Sequence, residues 1–281
     1  GPTISGTHVA SGSGNGTFTC NITGLTPGTT YYVRAYATNS VGTAYGNERT
    51  FTTTAVSLPV LTTAAVTAIG TTTATSGGSI TSAGGGTITA KGVCWGMSSS
   101  PTVSGPHTTD GTGTGSFVSS LTGLTPGTVY YVRAYATNSA GIAYGNELKF
   151  SSSVADIEGN VYRTIEIGNQ LWMAEDLKSM KFNDNSVISN ITNNSVWSTT
   201  TDPAYCWYDN DPDTYRSSFG AIYNWFAVGT GKLCPSGWHV PSHNDFKILE
   251  TYLGMTSDQV NAWDWRGTDQ GTKMKSTSTW I

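Results

Sequence analysis

The sequence predicts a mostly β chain: β-sandwiches in tandem, followed by a C-terminal α+β module. Three observations carry that expectation. One phrase is written twice, at Gly24–Glu48 and Gly123–Glu147, with 22 of 25 positions identical and an offset of 99 residues; self-similarity at a fixed period marks repeated modules. In and around the second copy, apolar residues alternate at strand period through short segments bounded by Gly, Ser, Pro and Asn, which is the pattern of a sandwich. Beyond residue 153 the composition changes. Residues 1–153 carry five Lys/Arg, three Asp/Glu and one Trp, and residues 154–281 carry nine, fifteen and eight. Net charge passes from +2 to −6, so a boundary is expected near Ser151–Ala155, with any specific function beyond it.

Composition narrows the class. Charged residues make up 11% of the 281, against about 25% in an ordinary soluble domain. Thr, Ser, Gly and Asn fill the difference, a polar but uncharged surface suited to the outside of a cell. A net charge of −4 gives no reason to expect nucleic acid as a partner. No apolar run approaches the 18 residues a spanning helix needs, so no membrane insertion is expected in this segment. The chain opens on Gly-Pro rather than Met, which fits a processed or incomplete N-terminus.

The strands of the second repeat follow in order as TATSGGSIT, ITAKGVCWG, GSFVSSLTGL, VYYVRAYATNS and GNELKFSSS. Thr, Ser and Gly dominate and no helical period appears, so no helix is expected in 58–151. In Leu124-Thr-Pro-Gly-Thr-Val-Tyr130, Pro126-Gly127 makes a turn and Tyr130 is placed to fold its hydroxyl back onto nearby backbone, the tyrosine corner of Greek-key sandwiches. Tyr36, Tyr45, Tyr135 and Tyr144 recur at matched positions and read as packing residues; Arg34 and Arg133 read as covering an aromatic or pairing with an acid. On LTPGTTYYVRAYA and LTPGTVYYVRAYATNSAG the chain resembles the fibronectin type III family, an immunoglobulin-like sandwich. The resemblance covers 58–151 as a full module and 1–54 as the C-terminal half of one. A half-sandwich would expose a large apolar face, so further sequence is expected before Gly1.

From Val154 the pattern changes. DIEGN is a turn between the strand-like VYRTIEI and QLWMAEDL. Asp245–Leu253 reads as the one credible helix: Phe246, Leu249 and Leu253 make an apolar stripe with Ile248 and Tyr252, Ser242 is a candidate N-cap and Gly254 a stop. The stretch 154–281 resembles the Fibrobacter succinogenes major paralogous domain. The resemblance rests on Asp156–Tyr162, Ile167–Leu177, Tyr205-Cys-Trp-Tyr208, Gly220–Trp225 and Lys232–Pro241, in that order. It implies a secreted or surface protein of Bacteroidetes or Fibrobacter relatives. It also implies a fold of the C-type-lectin-like and formylglycine-generating-enzyme-like group, and a module that would continue past Trp280.

Within those motifs, Cys206 and Cys234 are separated by 27 residues. In an extracellular chain a disulfide between them is the expected reading, with two buried thiols as the alternative; Cys94 reads as core. His239 and His243 are separated by Pro241 and make a poor zinc pair. Asp209, Asp211 and Asp213 crowd three carboxylates into five residues, which suits calcium or a solvated acidic loop. Trp207 with Tyr208, and Trp263 with Trp265, are the aromatic candidates for exposure and ligand stacking, weighed against a role in the core. Glu166, Glu175 and Asp176 have a spacing that specifies no reaction. The expected function is therefore non-catalytic, with no cofactor beyond possible calcium. Sandwich spacers would present a recognition module for an extracellular glycan or surface protein. The alternative is a structural subunit that packs against neighbouring modules of a fibre or cell-envelope assembly.

Overall fold

The computed structural model describes residues 1–263 and 266–274. Residues 58–151 form two antiparallel sheets and no helix. In one, Ala74–Ser82 lies between Val60–Thr63 and Gly115–Leu121. In the other, the long strand Val129–Asn138 has Ala90–Gly96 on one edge, and Gly141–Tyr144 and Leu148–Ser151 on the other. Alternation along Val129–Asn138 turns Tyr130, Val132, Ala134 and Ala136 inward. They meet Leu61, Ile80, Val93, Trp95, Leu121 and Phe150 in one core. Cys94 is buried beside that core, and burial pushes its thiol up to about 11.

The corner forms as the sequence predicts. The backbone N–H of Thr125 donates to the Tyr130 hydroxyl at 2.9 Å, and the ring stacks on Phe150 at 5.7 Å. The first repeat reproduces both contacts, with Thr26 N–H to Tyr31 at 2.8 Å and Tyr31 on Phe51 at 5.9 Å. Arg133 lies 4.4 Å over Tyr144, and Arg34 4.8 Å over Tyr45. The equivalence starts well before Gly24: the His8 ring bonds the Gly6 carbonyl and meets Tyr36 edge-on, as His107 does with Gly105 and Tyr135. Residues 1–54 thus correspond to 100–153. Their strands Thr30–Val33, Tyr36–Thr38, Thr43–Tyr45 and Arg49–Thr52 form two separate ribbons. Apolar positions that the second repeat buries stay open there. Ile22 is 42% exposed against 0% for Leu121, and Phe51 37% against 8% for Phe150.

Ser151-Ser152-Ser153 resembles a flexible linker in sequence but is held on all sides. Ser152 and Ser153 are buried. Ser152 Oγ donates to the Thr125 carbonyl at 2.6 Å and accepts from Thr128 N–H at 3.0 Å; Ser153 Oγ donates to the Ile69 carbonyl. Ser151 Oγ and the Ser152 carbonyl both bond Thr164, and Lys149 pairs with Glu166. Hydroxyl groups here satisfy backbone groups that burial would otherwise leave unpaired.

Beyond it the chain is α+β. Asp156 closes the DIEGN turn by accepting from the N–H groups of Glu158 and Asn160, and the Tyr162 hydroxyl donates to its other oxygen at 2.6 Å. Thr164–Ile167 and Gln170–Met173 make a hairpin. A three-stranded sheet of Ser189–Asn190, Ala204–Cys206 and Ile222–Tyr223 carries the second core, with Phe182, Ile188, Tyr205, Trp207, Ala227 and Leu233. The expected helix is present as His243–Tyr252, with Ser242 and Asp245 forming a reciprocal capping box. It is not alone, however. Asn194–Trp197, Pro212–Phe219, Trp225–Val228, Ser257–Asn261 and Gln270–Met274 are helical too.

Candidate functional site

The hairpin strand Gln170–Met173, the start of helix His243–Tyr252, and the loop Leu233–Pro241 between them enclose a cleft of about 650 Å³. That volume suits a small ligand or one unit of a polymer. Trp172 and Trp238 line it together with Met173, Leu177, Val228, Leu233 and Val240. Trp172 tilts against Phe246 at 5.7 Å, which fixes the strand to the helix. Trp238 reaches the sandwich: its indole edge lies 3.0 Å from where a Cβ on Gly127 would stand, and Gly127 has φ +59°. The Pro126-Gly127 corner therefore forms part of the wall, and no side chain larger than hydrogen fits it without displacing the indole.

Polar groups sit among these walls. Asp245 accepts from Ser242 N–H at 2.8 Å, Ser242 Oγ at 2.6 Å and His239 Nε2 at 3.1 Å. The Ser242 bonds first, then His239, hold its carboxyl down at about 2. Asp176 has no such partner, and burial raises its carboxyl above the ordinary value. Gln170 Oε1 and Trp172 Nε1, two residues apart on one face of the strand, are buried and unpaired among the described residues. Burial also raises the Cys234 thiol, which makes no hydrogen bond to His239 among the described residues.

Several expectations are corrected. The four cysteines are free, so the Cys206–Cys234 disulfide does not form. Strand alternation turns Cys206 away from Tyr205 and Trp207, which pack with Leu233, while Cys234 lines the cleft. Trp207 is 5% exposed, its ring edge-on to Tyr205 and covered by Arg216, so it offers no open stacking face. Asp209, Asp211 and Asp213 are not gathered. Asp211 caps helix Pro212–Phe219 by accepting from Thr214 N–H, Pro212 takes the first helical position, and Asp213 follows in the first turn. Among the described residues no group of three or more His, Cys, Asp or Glu is placed to hold a metal.

Other candidates scatter. Tyr208 is exposed within an aromatic group with Tyr215 and Phe219, and Phe219 touches the cleft. Trp263 is 91% exposed, and Trp265 lies outside the described residues. Glu166 pairs with Lys149 and Glu175 with Arg163, so only Asp176 of that trio reaches the cleft. Trp225 is 75% exposed. Among the described residues no helix is long and apolar enough to cross a membrane.

Comparison with solved structures gives distant likenesses. The chicken CNTN1 FN1-FN3 domains share 16% identity over 46% of this chain, at a TM-score of 0.28; this chain spans 44% of that one. Domains A168-A170 from titin share 17% over 44% of this chain and 40% of theirs, at 0.29. A fibronectin type III domain from human KIAA0970 protein shares 16% over 38% of this chain and 82% of its own, at 0.25. The sandwich rests on the sheets described above. No curated protein matches the chain. Residues 165–281, the stretch that holds nearly all of the cleft, match the model of the Fibrobacter succinogenes major domain.

Proposed function

We propose that the chain is a non-catalytic extracellular surface protein in which sandwich modules, over 1–54 and 58–151, present a recognition module over 154–281. The ligand is a glycan, and the site is the Trp172–Trp238 cleft rather than the Trp207 loop. The cleft itself carries the reading. Two indoles offer apolar faces of the kind that stack on sugar rings, and Gln170 and Trp172, whose Oε1 and Nε1 are unpaired among the described residues, line the same wall. The low-charge surface and the buried serine junction fit a module held out from a cell envelope on a stiff stalk. The fibre-subunit alternative would need a contiguous apolar face on the sandwich. On the closed sandwich of 58–151, exposed Val60 and Val118 stand instead on the two outer strands of a three-stranded sheet, and the open apolar positions, Phe18, Ile22 and Phe51 among them, are confined to 1–54. A glycan-array screen of the whole chain tests the reading. Selective binding lost in Trp238→Ala, with the circular dichroism spectrum unchanged, is expected; a folded chain that binds no glycan would refute it.

A further inference from the structure

We propose that the second sandwich is a working part of the recognition site rather than a spacer, with Gly127 as the positioning residue for the Trp238 ring. This deepens the glycan reading above and rests on it. The sandwich grips the cleft at two separate points. At the first, Ser151 Oγ donates to the Thr164 carbonyl and Thr164 Oγ1 to the Ser152 carbonyl, both at 3.0 Å, and Lys149 pairs with Glu166. In the hairpin Thr164 stands opposite Met173 and Glu166 opposite Leu171, and Leu171 and Met173 line the cleft. The second point is the Trp238 indole against Gly127. Gly127 is itself fixed, because its N–H donates to the Ser153 carbonyl at 3.0 Å and the corner closes on Tyr130.

Trp172 has Phe246 to pack against. Among the described residues the Trp238 indole has neither an aromatic partner nor a hydrogen bond, and only its backbone is held, by a bond to the Pro235 carbonyl. Packing alone therefore places the ring. The first repeat separates what the turn demands from what the cleft demands. Gly28, the counterpart of Gly127, also has a positive φ, +65° against +59°, so both turns call for glycine. A Cβ on Gly28 would stand 3.4 Å from Ala55, an ordinary contact, whereas one on Gly127 would stand 3.0 Å from the indole. Of the two corners, only the one at the cleft is packed this closely. A methyl group at 127 would push the indole away from its place in the wall it shares with Trp172. Such coupling is reciprocal: a ligand that holds the Trp238 ring also holds the corner, and so stabilises the sandwich.

The test compares the whole chain with Gly127→Ala and Gly28→Ala, which carry the same turn strain. All three are applied to a glycan array that includes oligomers of glucose, xylose, mannose and N-acetylglucosamine. Gly127→Ala is expected to weaken binding of every glycan the unaltered chain recognises by about tenfold, and Gly28→Ala to weaken none. Equal affinities in all three chains would overturn the assignment and leave the cleft as a glycan site, and so would an equal loss in both variants. A second readout needs no substitution. Saturation with the strongest-binding oligomer of the array should raise the urea midpoint of the sandwich, followed by fluorine labelling at Trp95; an unchanged midpoint would overturn the assignment. A folded chain that binds no glycan of the array would overturn this assignment and the glycan reading together.

Discussion

The two copies of the tyrosine corner make an internal experiment. Tyr130 and Tyr31 accept the same backbone N–H at nearly the same distance, 2.9 and 2.8 Å, and stack on matched phenylalanines. Only Tyr130 does so inside a closed core. Tyr130→Phe removes one oxygen and leaves the Thr125 N–H half-buried without an acceptor, at a cost of about 1.5 kcal/mol. With an m-value of about 1.5 kcal/mol/M, the urea midpoint of the second sandwich should fall by about 1 M. Tyr31→Phe should leave every midpoint in place, because water reaches the Thr26 N–H directly. Trp95 is the one tryptophan of the first 153 residues, so 5-fluorotryptophan labelling lets its fluorine signal report this sandwich separately from the rest of the chain. Equal midpoint shifts for the two variants would refute the claim that burial, not the bond itself, makes the corner stabilising.

Tyr162→Phe should destabilise the C-terminal module by about 2 kcal/mol, since it leaves the buried Asp156 oxygen and the Lys178 N–H without their shared hydroxyl; a urea melt followed on the module's tryptophans measures it. Gly127→Ala places a methyl group 3.0 Å from the Trp238 indole at φ +59°, and should cost about 1 kcal/mol or more and shift the Trp238 indole N–H resonance. Asp245 has a depressed carboxyl, so its contribution is complete above the unfolded value near 4 and is lost as pH falls toward about 2. Its carboxyl-carbon titration should give that low midpoint, and Ser242→Ala should raise it. Because all four thiols are free, a reductant should leave the melting temperature unchanged, and a thiol reagent should count four groups after unfolding.

Where structure depends on neighbours in sequence, the chain is legible. The strands of the second sandwich, the corner at Tyr130, and the helix capped by Ser242 each follow from alternation, turn residues or a cap within about ten positions. Asp211-Pro212 shows how a local signal can be read in the wrong direction. Three aspartates and a proline suggest a loop, yet an N-cap followed by proline at the first helical position is equally a helix start. Tyr205-Cys-Trp-Tyr208 holds a usable signal too: with Tyr205 in the core, strand period 2 puts Trp207 on the same face and Cys206 on the opposite one, which argues against an exposed indole. The cleft was not legible. Its walls come from residue 127, from 170–177 and from 219–245, and no periodicity within one segment reveals which indole faces another. Trp172 and Trp238 lie inside apolar motifs and read as core for that reason.

The central claim is that recognition occurs on the Trp172–Trp238 wall. The most direct measurement follows the indole N–H resonances of the whole chain, assigned by single Trp→Phe substitutions, during titration with the highest-affinity glycan from the array. The signals of Trp172 and Trp238 should move together and saturate at one affinity while that of buried Trp95 stays fixed. Movement confined to exposed Trp225 or Trp263, with the cleft indoles unchanged, would contradict it.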